Sequence, residues 1–217
     1  MFDTVAARRM MVDCQVRTAD VTDLDLIGAM LAVPRELFVP PSMADQAYAD
    51  GDIALGNGRA LLKPMVLAKL IQALRVRDND RALDVACGTG YSSAILARLA
   101  GSVVALEDDE ALARQAENAL AATGGPAVAL VRAPLTTGWP DAAPYDLILI
   151  NGAIEIVPEA LGRLLKPAGR MACIFGHAPM GKAMIYHVIE GHLVGRPIFD
   201  ACAPVLAPFA APPTFVF

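Results

Sequence analysis

The chain has 217 residues, 55% of them hydrophobic, and a formal net charge of −5. This length and apolar content support one substantial buried core. The pI near 5.1 argues against a non-specific nucleic-acid binder, which would present a basic surface. Arg8-Arg9 is the sole adjacent basic pair. No apolar stretch reaches the roughly 18–20 residues of a membrane span. Met1-Phe2-Asp3-Thr4 lacks the basic region and apolar core of a secretory signal. Cys14, Cys87, Cys173 and Cys202 lie far apart, without metal-ligand spacing. A cytoplasmic protein with reduced thiols and no metal is the expectation.

In chain order, a first helix is predicted over 4–18, with Val5, Met10, Val12 and Val16 among its apolar positions. Thr22 can cap a second helix, Asp23 to Ala32, which carries acids in its first turn. Pro34, Pro40 and Pro41 break regular structure, and a short helix follows near Met43 to Tyr48. Gly51 to Gly58 reads as a glycine-rich loop, and Pro64 can open a helix through Leu74. From Arg81 the alternation is regular. Strands are predicted at 81–86, 102–107, 127–132, 145–151 and 169–175, and helices at 90–99, 109–122 and 156–165. Ala183 to Glu190, Gly191 and Leu193 to Arg196 suggest an antiparallel hairpin, with an edge strand at 213–217. The fold class expected is α/β: a doubly wound, Rossmann-like, mostly parallel sheet. Residues 1–75 form a helical cap and 76–217 the core of one domain.

The informative segment is Leu83-Asp84-Val85-Ala86-Cys87-Gly88-Thr89-Gly90-Tyr91. A buried strand stops at a glycine pair and passes into a helix. Without a Cβ at the turn, a ligand can lie against the backbone at the helix N-terminus. After the next apolar run comes Glu107, placed to take the two hydroxyls of a ribose in a doubly wound fold. The dinucleotide fingerprint needs a third glycine, where this chain has Ser93, and an acid precedes the glycines. That acid suits a cationic ligand better than a pyrophosphate. S-adenosylmethionine, with an ammonium, a sulfonium and no phosphate, fits; a nicotinamide cofactor fits poorly. An ordinary strand-to-helix turn of some other α/β protein is the alternative.

The D-x-x-C-G-T-G-Y pattern resembles motif I of class I S-adenosylmethionine-dependent methyltransferases. Further blocks resemble one family among them, protein-L-isoaspartate O-methyltransferase. Val33-Pro34-Arg35-Glu36-Leu37-Phe38-Val39-Pro40 is similar to its V-P-R-E-x-F-V-P, and Ala47-Tyr48-Ala49-Asp50 to its A-Y-x-D. Gly56 to Pro64 aligns with its G-x-G-x-T-I-S-x-P. Gly138-Trp139-Pro140 and Tyr145 to Ile150 resemble its G-W-P and F-D-x-I-I-V. The blocks keep the family's order over most of residues 1–175.

The resemblance implies an S-adenosylmethionine-dependent methyltransferase. Asp84, Val85, Ala86, Cys87, Gly88, Gly90, Glu107, Asp108 and Pro134 would border the cofactor, with Asp108 and Pro134 at the adenine. Ala60, Leu61, Leu62, Lys63 and Asn151 would border the acceptor. The departures matter. The family's T-I-S hydroxyls, which touch acceptor carboxylate and cofactor, are replaced by Ala60, Leu61 and Leu62, so the family serine position holds a leucine and the catalytic residue is unknown. Ala133-Pro134-Leu135 lacks the family's adenine-contacting acid. An ionised isoaspartyl carboxylate needs donors while it loses water, and an unpaired one is costly to bury. Isoaspartyl methylation is therefore expected to be weak or absent, unless Lys63 or backbone N–H groups substitute. A less polar acceptor such as a small phenol or thiol is the alternative substrate. His177 is the best placed of His177, His187 and His192 if a base is needed. A non-catalytic interaction protein that keeps the fold is the competing reading.

Overall fold

The computed structural model describes residues 3–212, so the edge strand expected at 213–217 lies outside the described residues. Helix α1 (Thr4–Met11) starts at Asp3, whose carboxylate accepts from the backbone N–H groups of Val5 and Ala6. The helix expected over 4–18 continues only as a π-helical turn (Val12–Val16) and a 3-10 turn (Arg17–Ala19). Within it Thr18 donates its hydroxyl back to the Cys14 carbonyl at 2.7 Å, a competing bond that loosens helices. Helix α2 (Leu24–Ala32) is capped by Asp23 rather than Thr22. The reason is tertiary: Gln72 Oε1 accepts from the N–H groups of both Thr22 and Asp23. Two 3-10 turns follow, Arg35–Phe38 and Pro41–Gln46, the second replacing the short helix expected near 43–48.

The expected glycine-rich loop is half of a hairpin, β1 (Ile53–Gly56) and β2 (Arg59–Leu61), paired antiparallel. Asn57 and Gly58 take φ of 50° and 72°, the left-handed pair a two-residue hairpin turn requires. Helix α3 (Pro64–Leu74) opens on its proline as expected. The Arg170 guanidinium donates to the carbonyls of Leu74 and Arg75 beyond its last turn.

Then the βα alternation sets in: β3 (Arg81–Val85), α4 (Tyr91–Leu96), β4 (Ser102–Leu106), α5 (Glu110–Thr123), β5 (Ala129–Val131), β6 (Tyr145–Ile154), α6 (Glu159–Gly162) and β7 (Leu165–Phe175). The helix expected over 156–165 shrinks because Leu165 already pairs with Tyr145 of β6. The tail hairpin is β8 (Lys182–Ile189) and β9 (His192–Asp200). The sheet order is β5-β4-β3-β6-β7-β8-β9, parallel through β7 and antiparallel beyond. Both faces are covered. Leu147 and Leu149 face the layer of cap and α3, while Ile148 and Ile150 face the opposite layer with Leu83, Val85 and Phe209. Strand order reverses at β3, between β4 and β6, where a doubly wound sheet opens a crevice at its carboxyl edge. Among the described residues no helix is long and apolar enough to cross a membrane, and no group of side chains suits a metal ion.

Candidate cofactor and acceptor site

The chain leaves β3 through Ala86 and Gly88, both left-handed at φ 55° and 57°, and enters α4 through Gly90 at φ 92°. Gly88 donates its N–H to Glu107 Oε2 at 2.9 Å. This bond ties the loop to the end of β4. Cys87 is buried in the loop, and burial next to Asp84 and Glu107 holds its thiol well above the ordinary range. It is a packing group, not a reactive thiolate.

Asp84 is fully buried. Ser92 and Ser93 donate to its Oδ2, and Asn151 donates to its Oδ1. Burial raises its carboxyl to about 6, and those three donors oppose the rise. The two serines come from the first turn of α4, so Asp84 also fastens that helix to the sheet. Asn151, expected beside the acceptor, instead orients Asp84. A register shift in β6 between Leu149 and Ala153 places it there, since a bulge re-aims side chains. Ser92 and Ser93 were missed. They sit eight and nine residues beyond Asp84, and the signal was their position in the first turn after the glycines.

Glu107 is also fully buried. Its Oε1 accepts from the N–H groups of Asp108 and Asp109, both at 3.1 Å. Burial raises its pKa, opposed first by the Arg59 charge and then by the backbone donors. The Arg59 guanidinium lies on it, with Nε at 3.2 and 3.3 Å from the two oxygens and Nη2 at 3.2 Å from Oε1. Arg59 also pairs with Asp108 and is 6% exposed. The carboxylate expected to face ribose hydroxyls thus holds an arginine of the same chain. Leu55 lies over the loop: a Cβ built on Gly88 would fall 2.9 Å from its Cδ1. Neither residue was singled out in the sequence, where Arg59 stood only as the variable position of the aligned block. Asp108 and Pro134, expected at the adenine, line an open cleft of about 530 Å³ with Arg132 and Ala133. Leu135 turns into the core instead.

On the acceptor side the structure places the aligned residues away from any polar pocket. Leu61 and Leu62 are 5% and 3% exposed and belong to the core. Ala60 pairs with Ala54 in the hairpin. The backbone N–H of Lys63 donates to Asp52 at 2.7 Å. His177 contacts Glu155 at 3.2 Å beyond the end of β7, which β6 separates from β3 in the sheet. It is not brought to the crevice. Trp139 packs against the core beside Tyr145, whose hydroxyl donates to its carbonyl.

The V-P-R-E block proves architectural. Arg35 is fully buried, donates to the carbonyls of Ala47 and Leu62 at 2.7 and 2.8 Å, and stacks on the Tyr91 ring at 4.8 Å. One side chain therefore links the cap, the end of the hairpin and α4. Glu36 accepts from the Tyr48 hydroxyl, so the A-Y-x-D block closes the same junction.

The profile of the protein-L-isoaspartate(D-aspartate) O-methyltransferase family matches residues 7–188. The chain belongs to this family. A protein-L-isoaspartate O-methyltransferase of Methylorubrum extorquens is 41% identical over 84% of this chain and 79% of its own. One from Methanoregula boonei is 39% identical over 82% and 80%. A solved protein-L-isoaspartate O-methyltransferase superposes with a TM-score of 0.79 at 22% identity, over 92% of this chain and 66% of that one. A Plasmodium falciparum structure of the same description, in complex with S-adenosyl-L-homocysteine, superposes with a TM-score of 0.77 at 17% identity, over 95% and 99%. At these identities the structural matches establish the fold: the mostly parallel methyltransferase sheet with its antiparallel tail. The family's chemistry is methyl transfer from S-adenosylmethionine, which makes this chain a methyltransferase by membership.

Proposed function

We propose that this chain is an S-adenosylmethionine-dependent O-methyltransferase that keeps the nucleoside end of its family's site and has lost the hydroxyl donors of the acceptor end. Isoaspartyl methylation is accordingly weak or absent, and the acceptor is a less polar group. The observation that carries this reading is the burial of Leu61 and Leu62 in the core, where the family aligns a hydroxyl-bearing stretch. A carboxylate brought there would meet no side-chain donor from 60–62, and burying it unpaired costs far more than the roughly 2–7 kcal/mol of a neutral polar group without a partner.

The residues present suit an adenosyl ligand. The left-handed Gly88 and Gly90 form the tight turn between β3 and α4, Glu107 supplies a buried carboxylate for a vicinal diol, and the cleft beside Asp108 and Pro134 has room for a base. When bound, S-adenosylmethionine supplies a sulfonium-activated methyl group. The chain's own part is positioning and exclusion of water. Cys87 to Gly90 shape the methionine end, Asp84 fixes that loop through α4, and Glu107 holds the sugar. The expected setting is the cytoplasm, with no nucleic-acid partner.

The test pairs calorimetry with a transfer assay. Binding of S-adenosylhomocysteine together with little or no methylation of an isoaspartyl peptide is the expected result. Turnover at the rate of the 41%-identical relative, assayed in parallel, would overturn the altered-acceptor reading. A second reading, a non-catalytic interaction protein, is favoured by Arg59 and Leu55 lying in the crevice. Methyl transfer to any protein or metabolite of a lysate, abolished by Asp84→Ala, would reject it.

A further inference from the structure

We propose that Arg59 is an internal occupant of the ribose site, and that an adenosyl ligand binds only when the β1–β2 hairpin releases Glu107. The inference rests on the adenosyl reading above. Glu107 has little acceptor capacity left: Oε1 takes the N–H groups of Asp108 and Asp109 and the Arg59 fork, and Oε2 takes Gly88 N–H and Arg59 Nε. Arg59 fills the side a sugar would use. Leu55 likewise takes the space that the missing Cβ of Gly88 opens. A ribose and a methionine tail cannot share these volumes with a guanidinium and an isobutyl group.

The hairpin is built to leave. Among the described residues its two strands pair only with each other and form no ladder with the seven-stranded sheet. Side chains fasten it to one short segment of consecutive acids: Arg59 to Glu107 and Asp108, and Asn57 Nδ2 to Asp109 Oδ2 at 2.6 Å. Displacing its turn, from Leu55 to Arg59, exchanges those bonds for solvent without opening the sheet, while Ile53 and Leu61 keep its base in the core. The base side of the crevice is already open. The adenine can therefore seat first beside Asp108 and Pro134, and the sugar reaches Glu107 after Arg59 withdraws. Observed affinity is the intrinsic affinity multiplied by the fraction of molecules with the hairpin released. Arg59 thus sets how tightly this chain holds its cofactor.

The experiment is calorimetric titration of S-adenosylhomocysteine into full-length wild type, Arg59→Gln and Leu55→Ala, each first shown folded by thermal unfolding. Hydrogen exchange is followed across residues 53–61. The expected result is at least tenfold tighter binding for Arg59→Gln and a smaller gain for Leu55→Ala. In the wild type, ligand should increase exchange in the hairpin. Equal or weaker binding by a folded Arg59→Gln, with the wild type binding, overturns the inference and leaves the adenosyl reading standing, since Arg59 would then support the ligand. If Arg59→Gln does not fold, Leu55→Ala decides: unchanged or weaker binding overturns the inference. If no folded variant binds up to millimolar ligand, the adenosyl reading falls and the inference with it.

Discussion

The glycine loop with Asp84 and Glu107, and the β1–β2 hairpin, border the same crevice and differ in what holds them. The first is anchored on strand ends. Each carboxylate is buried and met by designated donors: Ser92, Ser93 and Asn151 for Asp84, and the N–H groups of Gly88, Asp108 and Asp109 for Glu107. Changing one member would strand a buried charge. The hairpin lies outside the main sheet and is held by the burial of Ile53 and Leu61 and by the Arg59–Glu107 pair. It carries Ala60 and Leu61, and it lays Arg59 on Glu107 and Leu55 over Gly88. The glycine loop therefore resists change through buried charge, and the hairpin chiefly through apolar packing.

The sharpest way to break this contrast is to strip the cofactor end of its charge. Glu107→Ala leaves Arg59 buried with only Asp108 and should cost about 3 kcal/mol of stability, read by urea unfolding. It should also weaken S-adenosylhomocysteine by about 1–3 kcal/mol through lost charge-assisted bonds. Unchanged affinity would move the ribose site elsewhere. Next in size, Leu62→Ser restores a hydroxyl at the cost of core packing, about 2–4 kcal/mol in unfolding free energy. Because the side chain faces the core, isoaspartyl peptide methylation should not rise. A rise would show that the hairpin presents this position to the acceptor.

Asp84 offers a test in pH. Its native pKa of about 6 lies above its ordinary 3.8, so the folded state holds the proton more tightly than the unfolded chain. The ionised group therefore costs stability above pH 6, and the cost disappears as pH falls through 6 toward 3.8. Asp84→Asn, with the Asn151 amide turned to accept, should gain up to about 3 kcal/mol at pH 8 and nothing near pH 4, measured by thermal unfolding at both. An equal gain at both would show that ionisation is not the cause. The smallest effect is expected for Asp109→Ala, which removes both the α5 cap and the Asn57 tether. It should cost about 1 kcal/mol and raise hydrogen exchange in the hairpin. Unaltered exchange there would mean that the tether carries no weight.

Much of the core was readable in the chain because its signals are local. β3, β4, β6 and α3 fall within a few residues of their expected places, and the glycine pair marked the loop. Where expectation failed, a distant partner intervened. Gln72 moved the α2 cap from Thr22 to Asp23, and pairing with Tyr145 drew Leu165 out of the expected helix. The Asn57-Gly58 turn was a local signal that could have revealed the hairpin. Asn151 kept its importance and changed its partner, because a bulge in β6 has no mark in the sequence.

By itself the amino-acid order determined the α/β alternation, the glycine loop and the two acids beside it, since each rests on periodicity or spacing within a few turns of chain. Only the tertiary structure decided that Arg59, forty-eight residues before Glu107, lies on that carboxylate. A buried guanidinium goes to whichever carboxylate the fold brings within reach, and nothing in the linear order names that carboxylate.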